Sequence, residues 1–592
     1  MTIPTMPNEI DPVTLSVVQG ALQATQRAMT TTMEKTGRSS VYAIARDYSN
    51  ALFDWDARMI IQGEDIPTHL GSMVLATKAV ARFFAGEINP GDIYLHNDPT
   101  YDGSHLPDMC MYKPLFFEDE LVFWVVSKGH MVDVGGPVPG SYNPDAKEIF
   151  AEGLRVPPIR LVDRGEMRDD ILNLILTNFR SRKYQSGDMN AQLGAITLGE
   201  QRLTALLERY GKTLIKACVE QLLDAAETHM RARVRDLPDG VYHSSVVAED
   251  TGHGRGHQTL EAEITVAEDE LKITLASPPQ LDFFTNSYRS NTLSGVYAGL
   301  LMWAQVQPPF NEGLYRPVTV DFGPKGTMLN AEEPAPHVNC TGGPQETICD
   351  LIRTGLNQID ATHAVAGWNH TWAFNIAGTR PDNGEPYLDL LISSLIGGAG
   401  AVNNVADGWH AIGAQAGLGG AQIGDTELVE LLAPIIVTRL ELSMDSGMPG
   451  QWRGGCGLIT EIEPIDHEMT VIAWGEGAHH PPPSTGQAEY HPALFDRKVA
   501  RGWHIRDDEI LREVDHNQVL TVKPGERYRS QTSGGGGAGD PLSRPPEAVQ
   551  ADVLNNKVSL KGAELDYGVK LYPDTLAIDP AGTTALRKEK TR

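Results

Sequence analysis

The chain is 592 residues long, 41% hydrophobic and 21% charged, with a net charge of −28 at neutral pH. This is a globular composition, long enough to bury a large core without disulfides; the acidic excess argues against a surface for nucleic acid or anionic lipid, whose phosphates it would repel. Five cysteines (Cys110, Cys218, Cys340, Cys349, Cys456) without a CxxC pair, a beginning with no basic and apolar leader, and no run approaching the roughly 18 apolar residues of a membrane span set the expectation of a cytoplasmic protein.

The first element is a helix opening at Asp11-Pro12, a capping residue followed by proline at the first helical position, with Leu15, Val18, Leu22, Met29 and Met33 on one face. A β-hairpin is expected within 42–61, turning near Trp55-Asp56-Ala57-Arg58, and a second helix from about residue 68. Residues 91–160 read as strands and loops, with Leu121–Val126 a buried strand. A long helical stretch spans about 188–235, with Gly211 as its break point on propensity grounds. Beyond it, Ala262–Leu275 alternates as a hairpin, 290–310 and 345–365 read as helices, and the rest to about 575 reads as strands with Gly-rich turns. The fold class expected is α+β, one large interlocked and compact unit with a mixed helix-and-strand region over 1–240, a β-rich region with interspersed helices over 241–575, and a frayed polar tail over 576–592.

Nucleotide and nucleophile motifs are poorly supported. Gly211-Lys212-Thr213 is the one Gly-Lys-Thr, but Leu206 stands where a P-loop needs glycine. The 533–539 segment is glycine-rich without the lysine and helix of a phosphate cradle. There is no Gly-x-Ser-x-Gly elbow, and Cys110 between two methionines reads as a buried small hydrophobe. His253-Gly-Arg-Gly-His257 has glycines that disfavour a helix, and His479-His480 runs into three prolines, so both read as structural.

Metal ligation is the strongest signal. Asp102-Gly-Ser-His105-Leu-Pro-Asp108 must be loop, which can turn an imidazole and a carboxylate onto one point. His130, with Asp133 three residues on, directly follows the buried strand. Two imidazoles with carboxylates make a nitrogen–oxygen site suited to Zn, Mn or Fe(II). From spacing alone a plain reading stays open, because His–Asp pairs hydrogen-bond in many loops and Asp-Gly is a common turn.

Asn97-Asp-Pro-x-x-Asp-Gly-Ser-His105-Leu-Pro-Asp108 and Lys128-Gly-His130-x-x-Asp133-x-Gly-Gly resemble the hydantoinase B family, which embraces B-type subunits of ATP-dependent hydantoinases and caprolactamase, half of 5-oxoprolinase, and subunits of acetone and acetophenone carboxylases. The likeness continues through Arg46-Asp47-Tyr-Ser-Asn, His69-Leu-Gly-Ser-Met, Glu152-Gly153-Leu, Asn178-x-Arg180, Gly187-Asp188, Asn311-Glu-Gly-Leu-Tyr-Arg-Pro, Arg453-Gly-Gly and Gly534-Gly-Gly-Gly-Ala-Gly-Asp-Pro541. The resemblance implies a divalent metal, zinc first and manganese or iron as alternatives, held by Asp47, His105, Asp108 and His130. It also implies an A-type partner subunit that binds ATP and magnesium, in a heterotetramer or larger complex. The expected activity is ATP-dependent hydrolysis of a cyclic amide such as a hydantoin, lactam or oxoproline-like ring. Lys128 and Asp133, with Asp98 and Asp102, are the candidates for proton transfer or orientation. Alternatives are a bicarbonate-dependent ketone carboxylase subunit and a non-catalytic scaffold.

Overall fold

The computed structural model describes residues 10–590 apart from 64, 67, 68, 251, 253, 306–309, 416 and 418. The chain forms two compact units, one of residues 10–243 and 261–340, the other of residues 244–260 and 341–590. It crosses between them three times, where composition suggested one boundary near 240.

The first unit is built on a seven-stranded antiparallel sheet. Helix α1 (Pro12–Thr36) starts where the Asp11 carboxylate accepts the Thr14 amide, and it buries Val18, Leu22, Met29 and Met33 along the expected stripe. A single helical turn at Val41–Ala45 precedes β1 (Tyr48–Asp54), which turns at residues 55–58 into β2 (Met59–Gln62). Then follow α2 (His69–Phe83), β3 (Ile93–His96), β4 (Asp108–Phe117), β5 (Glu120–His130), β6 (Ile159–Asp163) and β7 (Glu166–Met167). Their order across the sheet is β2-β1-β5-β4-β3-β6-β7. A short helix, α3 (Asp169–Thr177), is not foreshadowed by the sequence reading, whereas the long helical stretch divides as expected at Gly211 into α4 (Arg182–Tyr210) and α5 (Lys212–Arg235). Gly211 has φ +73°, a conformation only glycine adopts cheaply.

Strand β5 is an interior strand, paired with β1 on one side and β4 on the other, and Val122 to Val126 are wholly buried. Helices α1 and α4 cover one face: Ser127 reaches Met33, and Gln192 donates to the Ser127 carbonyl at 3.2 Å. Helix α2 covers the other, and it is backed by α6 (Arg289–Ala304) at so close a distance that no side chain fits at Gly71. Residues two apart on a strand share a face, so Lys128 and His130 both project to the α2 side.

The second unit holds a four-stranded and a five-stranded sheet whose inner faces share a core around Trp372, Phe374, Ile435, Ile462, Val471 and Tyr528. Its glycine clusters are an interior of backbone against backbone rather than loop punctuation. Gly455 donates to the Ala399 carbonyl and accepts from Gly535, both at 2.9 Å, while Gly536 donates to Gly367 at 2.7 Å. The expected frayed end is instead a helix, Pro580–Lys590. Asp579 accepts the Gly582 amide at its start, and Arg587 donates to the Arg544 carbonyl at 2.7 Å. Polarity there reflects side chains that hydrogen-bond neighbouring carbonyls, not solvation alone. Further helices at Pro546–Leu554 and Leu560–Leu565 interrupt the β-rich region.

A Cβ at residue 455 would lie 1.8 Å from the Trp409 carbonyl oxygen, whereas Gly20, in α1, has nothing within 4 Å. Gly455→Ala is expected to destabilise by about 3 kcal/mol or more and to lower the thermal midpoint. Gly20→Ala should stabilise by about 0.5–1 kcal/mol. Thermal and urea unfolding of both variants measures the contrast.

Candidate metal centre

The antiparallel register decides which side chains meet. Asp108, first residue of β4, pairs with His130, last residue of β5. On the other side Tyr48 pairs with Gly129, so Asp47 lies one step further, beside His130, and its carbonyl accepts the His130 amide at 3.0 Å. Asp47 reaches this place from a left-handed residue, Arg46 (φ 58°), which turns the chain out of its helical turn into β1. The loop before β4 closes on itself, the Asp108 amide donating to the His105 carbonyl at 3.0 Å, and brings His105 over the same point.

Three donor atoms converge there. His105 Nε2 lies 2.9 Å from Asp108 Oδ1 and 3.1 Å from His130 Nδ1, and His130 Nδ1 lies 3.3 Å from Asp108 Oδ1. All three residues are at most 4% exposed. Among the described residues this is the one group of three or more histidine, cysteine or acidic side chains whose ligand atoms all lie within 4.8 Å. Asp47 stands at the rim, its Oδ2 3.9 Å from His130 Nδ1.

The surroundings fit a divalent cation. His105 Nδ1 lies 2.9 Å from the Val338 carbonyl, an acceptor that needs a proton on that nitrogen and leaves Nε2 to face the other donors. The far oxygen of Asp108 receives the Lys128 ammonium at 2.9 Å and the Ser104 hydroxyl at 2.5 Å, so Oδ1 is the oxygen left for the centre. Lys128 is itself buried and donates to Ser72 of α2 at 2.9 Å. His69, at the start of α2, hydrogen-bonds Ser49 at 2.9 Å and sits 3.7 Å from Asp108 Oδ2. Tyr142 stacks on His130.

The electrostatics follow. Burial opposes charge on Asp108, but His105 and the Lys128 ammonium hold its carboxyl well below the usual carboxylate range. Burial also opposes the imidazolium of His130, yet the Asp108 hydrogen bond and the Asp47 charge leave it above its ordinary value. Burial, reinforced by Lys128, keeps His69 well below its ordinary value and therefore neutral. Asp47 is pushed up by burial, with His130 opposing.

Of the residues singled out by sequence, His105, Asp108, His130 and Lys128 come together, with Asp47 beside them. Asp133 does not join them through any bond described. Its Oδ1 accepts the Gly135 and Arg180 amides and its Oδ2 accepts Gly140 N and Arg180 Nη1, at 2.8–3.1 Å, so all four lone pairs order the loop after β5. Asp98 caps the turn at Thr100 and pairs with Arg155, while Asp102 pairs with Arg289. Cys110 is buried, and burial pushes its thiol up to about 12, as suits an inert packing residue. Trp124 is wholly buried and Tyr48 packs on Tyr42. His253 lies outside the described residues, and His257 packs edge-on against His480 near the surface. Sequence reasoning gave no site role to His69, Ser49, Ser72, Ser104, Tyr142 or the Val338 carbonyl, although His69, Ser49, Ser72 and Ser104 all stand within the family-like segments.

A chain with this sheet and this donor set can be compared with known proteins. Residues 11–541 match the family model described as hydantoinase B/oxoprolinase, and the chain belongs to that family. It is 51% identical over 584 residues to caprolactamase subunit beta of Pseudomonas jessenii, covering 98% of this chain and 99% of that one. It superimposes on the crystal structure of the ATP-dependent caprolactamase of that organism with a TM-score of 0.91 at 48% identity, over 98% of this chain and 100% of the other. Acetone carboxylase in its nucleotide-free structure shares the fold, with a TM-score of 0.87 at 19% identity, over 98% of this chain and 83% of that one.

The second unit buries a different polar cluster, whose groups are mostly committed to each other. Asp350 Oδ2 lies 2.7 Å from His370 Nε2, and its Oδ1 takes Arg353 and Gln415. The Thr347 hydroxyl donates to Glu476 Oε2 at 2.9 Å. Burial and the Glu249 charge push Glu476 up to about 8; against burial, Asp350 holds His370 up to about 10. Both groups therefore bind protons more tightly folded than unfolded. The Glu476 contribution is full below its unfolded value of 4.5 and lost as pH rises to about 8; that of His370 is full below 6.5 and lost towards about 10. The thermal midpoint should fall steadily from pH 6.5 to 9.5, and Glu476→Gln should flatten the part below pH 8. A midpoint that rises over this range in the parent would contradict the assignment.

Proposed function

We propose that this chain is the metal-holding subunit of an ATP-dependent hydrolase that opens cyclic amides. The observation that carries the proposal is the convergence of His105 Nε2, His130 Nδ1 and Asp108 Oδ1 within 3.3 Å of one another. It gains its chemical direction from the near full-length identity to caprolactamase subunit beta.

His105, Asp108 and His130, with Asp47 from the rim, would hold a divalent ion, zinc first and manganese or iron as alternatives. When bound, such an ion polarises a carbonyl or phosphoryl oxygen and brings the pKa of a water to near 7. Around it the chain's own groups divide the work. The Lys128 ammonium neutralises the far oxygen of Asp108, so that Oδ1 keeps its charge for the centre. Lys128 is also the group placed to give a proton or a hydrogen bond to charge developing on a substrate oxygen or leaving nitrogen. Neutral His69, held by Ser49, keeps the α2 side of the pocket free of a second positive charge. Asp133 acts on the loop through Arg180 rather than on substrate.

With no P-loop in the sequence, ATP and magnesium belong to an A-type partner subunit in a heterotetramer or larger assembly. An amide is a poor electrophile, and phosphorylation of substrate or of bicarbonate on the partner supplies the activation that this chain alone does not. The complex would work in the cytoplasm; among the described residues no helix is long and apolar enough to cross a membrane.

The test is to purify the chain with its ATP-binding partner and measure substrate-dependent ATP hydrolysis over lactams, hydantoins, 5-oxoproline and ketones, with and without bicarbonate. A cyclic amide should stimulate it; stimulation by ketones alone, and only with bicarbonate, would replace this reading by a ketone carboxylase. His105→Ala and His130→Ala should assemble, lose their metal by elemental analysis and lose more than about 100-fold in turnover. Full turnover after metal loss would leave only a scaffold. Lys128→Met should retain metal and lose about 10²–10⁴-fold in kcat.

A further inference from the structure

One buried pair beside the centre is used by none of the chemistry above. Glu152 and His337 both have wholly buried side chains. Glu152 Oε1 accepts the backbone amides of His337 at 2.8 Å and Val338 at 2.9 Å, and its Oε2 lies 3.1 Å from His337 Nδ1. The other ring nitrogen of His337 lies 3.1 Å from the carbonyl of Ser104. Each end of this network touches a residue adjoining His105. Val338 supplies the carbonyl that takes the proton of His105 Nδ1, and Ser104 precedes His105 while its hydroxyl donates to Asp108.

We propose that Glu152 and His337 are a positioning pair that fixes the His105 ring with Nε2 turned to the donor cluster, and so sets the metal affinity of the centre. The inference rests on the metal-holding reading given above. Two amides donating to one carboxylate oxygen fix the two peptides flanking His337 and so set the path of the chain into Val338, whose carbonyl belongs to the next peptide, held in turn by the Asn339 amide donating to the Phe284 carbonyl at 3.1 Å. A rotated peptide would offer His105 a donor in place of an acceptor, which would favour the tautomer with its proton on Nε2. That proton would have to leave before a cation could bind. His337 ties the same carboxylate to the His105 loop, since both of its ring nitrogens face oxygen acceptors. With one ring proton given to Glu152 Oε2 and the other to the Ser104 carbonyl, the imidazolium and the carboxylate cancel and the pair is neutral as a unit. This lets it stay buried without repelling a cation at the neighbouring centre.

The test is Zn²⁺ affinity of the full-length chain, by competition with a chromophoric chelator, for the parent, Glu152→Gln and Glu152→Ala. The glutamine oxygen can still accept both backbone amides, so Glu152→Gln keeps the loop folded while replacing the acceptor at His337 Nδ1 by a donor. Zn²⁺ should bind about tenfold more weakly in Glu152→Gln and up to about 100-fold more weakly in Glu152→Ala. Metal-free Glu152→Gln should keep the parent's circular dichroism and thermal midpoint. The pair is refuted if both folded variants bind Zn²⁺ within twofold of the parent, or if affinity falls only together with the metal-free midpoint. If Glu152→Ala fails to fold, Glu152→Gln alone decides. A parent that binds no divalent ion would instead sink the metal-holding reading itself, a different outcome from equal binding by parent and variants.

Discussion

The pairing of β5 with a neighbour on each side is the constraint on which the centre depends. A strand with partners at both edges has no freedom of register, because a slip of one residue would turn Val122 and Trp124 from one buried face to the other. Burying the five apolar side chains from Val122 to Val126 contributes on the order of 10 kcal/mol, an upper figure for an extended unfolded chain. That reservoir lies directly beside the least comfortable part of the molecule, where Lys128, His130, Asp108 and Asp47 are gathered. The apolar half of β5 fixes the register, and the register in turn forces the polar half together.

Gathering these groups is tolerable only because the charges are arranged in sequence. Asp108 has its two oxygens divided between unlike partners, an ammonium and a hydroxyl on one side and two imidazoles on the other. A buried ion pair broken by loss of one partner leaves a naked charge, costing about 3–5 kcal/mol. Lys128 is thus as necessary to Asp108 as the ligands are to a cation. Ser72 secures Lys128 from α2, so the helix that covers the face also completes the pairing.

The fold was legible where the pattern is local. The capped, striped α1, the buried run of β5, the hairpin at 262–275 and the break at Gly211 each announce themselves within about twenty residues. His105, Asp108 and His130 were legible for the same reason: a loop that cannot be helix or strand carries two of them, and the third ends an apolar strand. Asp47 was not legible from spacing, since it lies 58 residues before His105. Only the Tyr48–Gly129 pairing brings it in, and family resemblance named it without supplying that reason. Val338 was beyond any reading of side chains, because its contribution is a carbonyl. The C-terminal helix was missed because its polar side chains bind neighbouring backbone carbonyls that composition does not show. Asp133, a candidate for proton transfer or orientation by its spacing from His130, has both oxygens committed to four hydrogen bonds that order a loop.

The geometry of the donor cluster also limits what can occupy it. Two imidazole nitrogens 3.1 Å apart, one of them facing a carboxylate oxygen at 2.9 Å, place lone pairs too close to be stable without something positive between them. A proton can serve, because the Asp108 hydrogen bond and the Asp47 charge favour the imidazolium of His130 against burial. A divalent cation would serve better, because it satisfies all three donors at once while a proton satisfies two. Proton and cation therefore compete for one place, and the balance turns on groups that hold the donors still rather than on the donors themselves. In this chain those groups are the Val338 carbonyl, Lys128 and Ser104, which come from a distant loop, strand β5 and the loop before β4. Such a site is a property of the assembled first unit and could not be carried by the His–Asp loop in isolation.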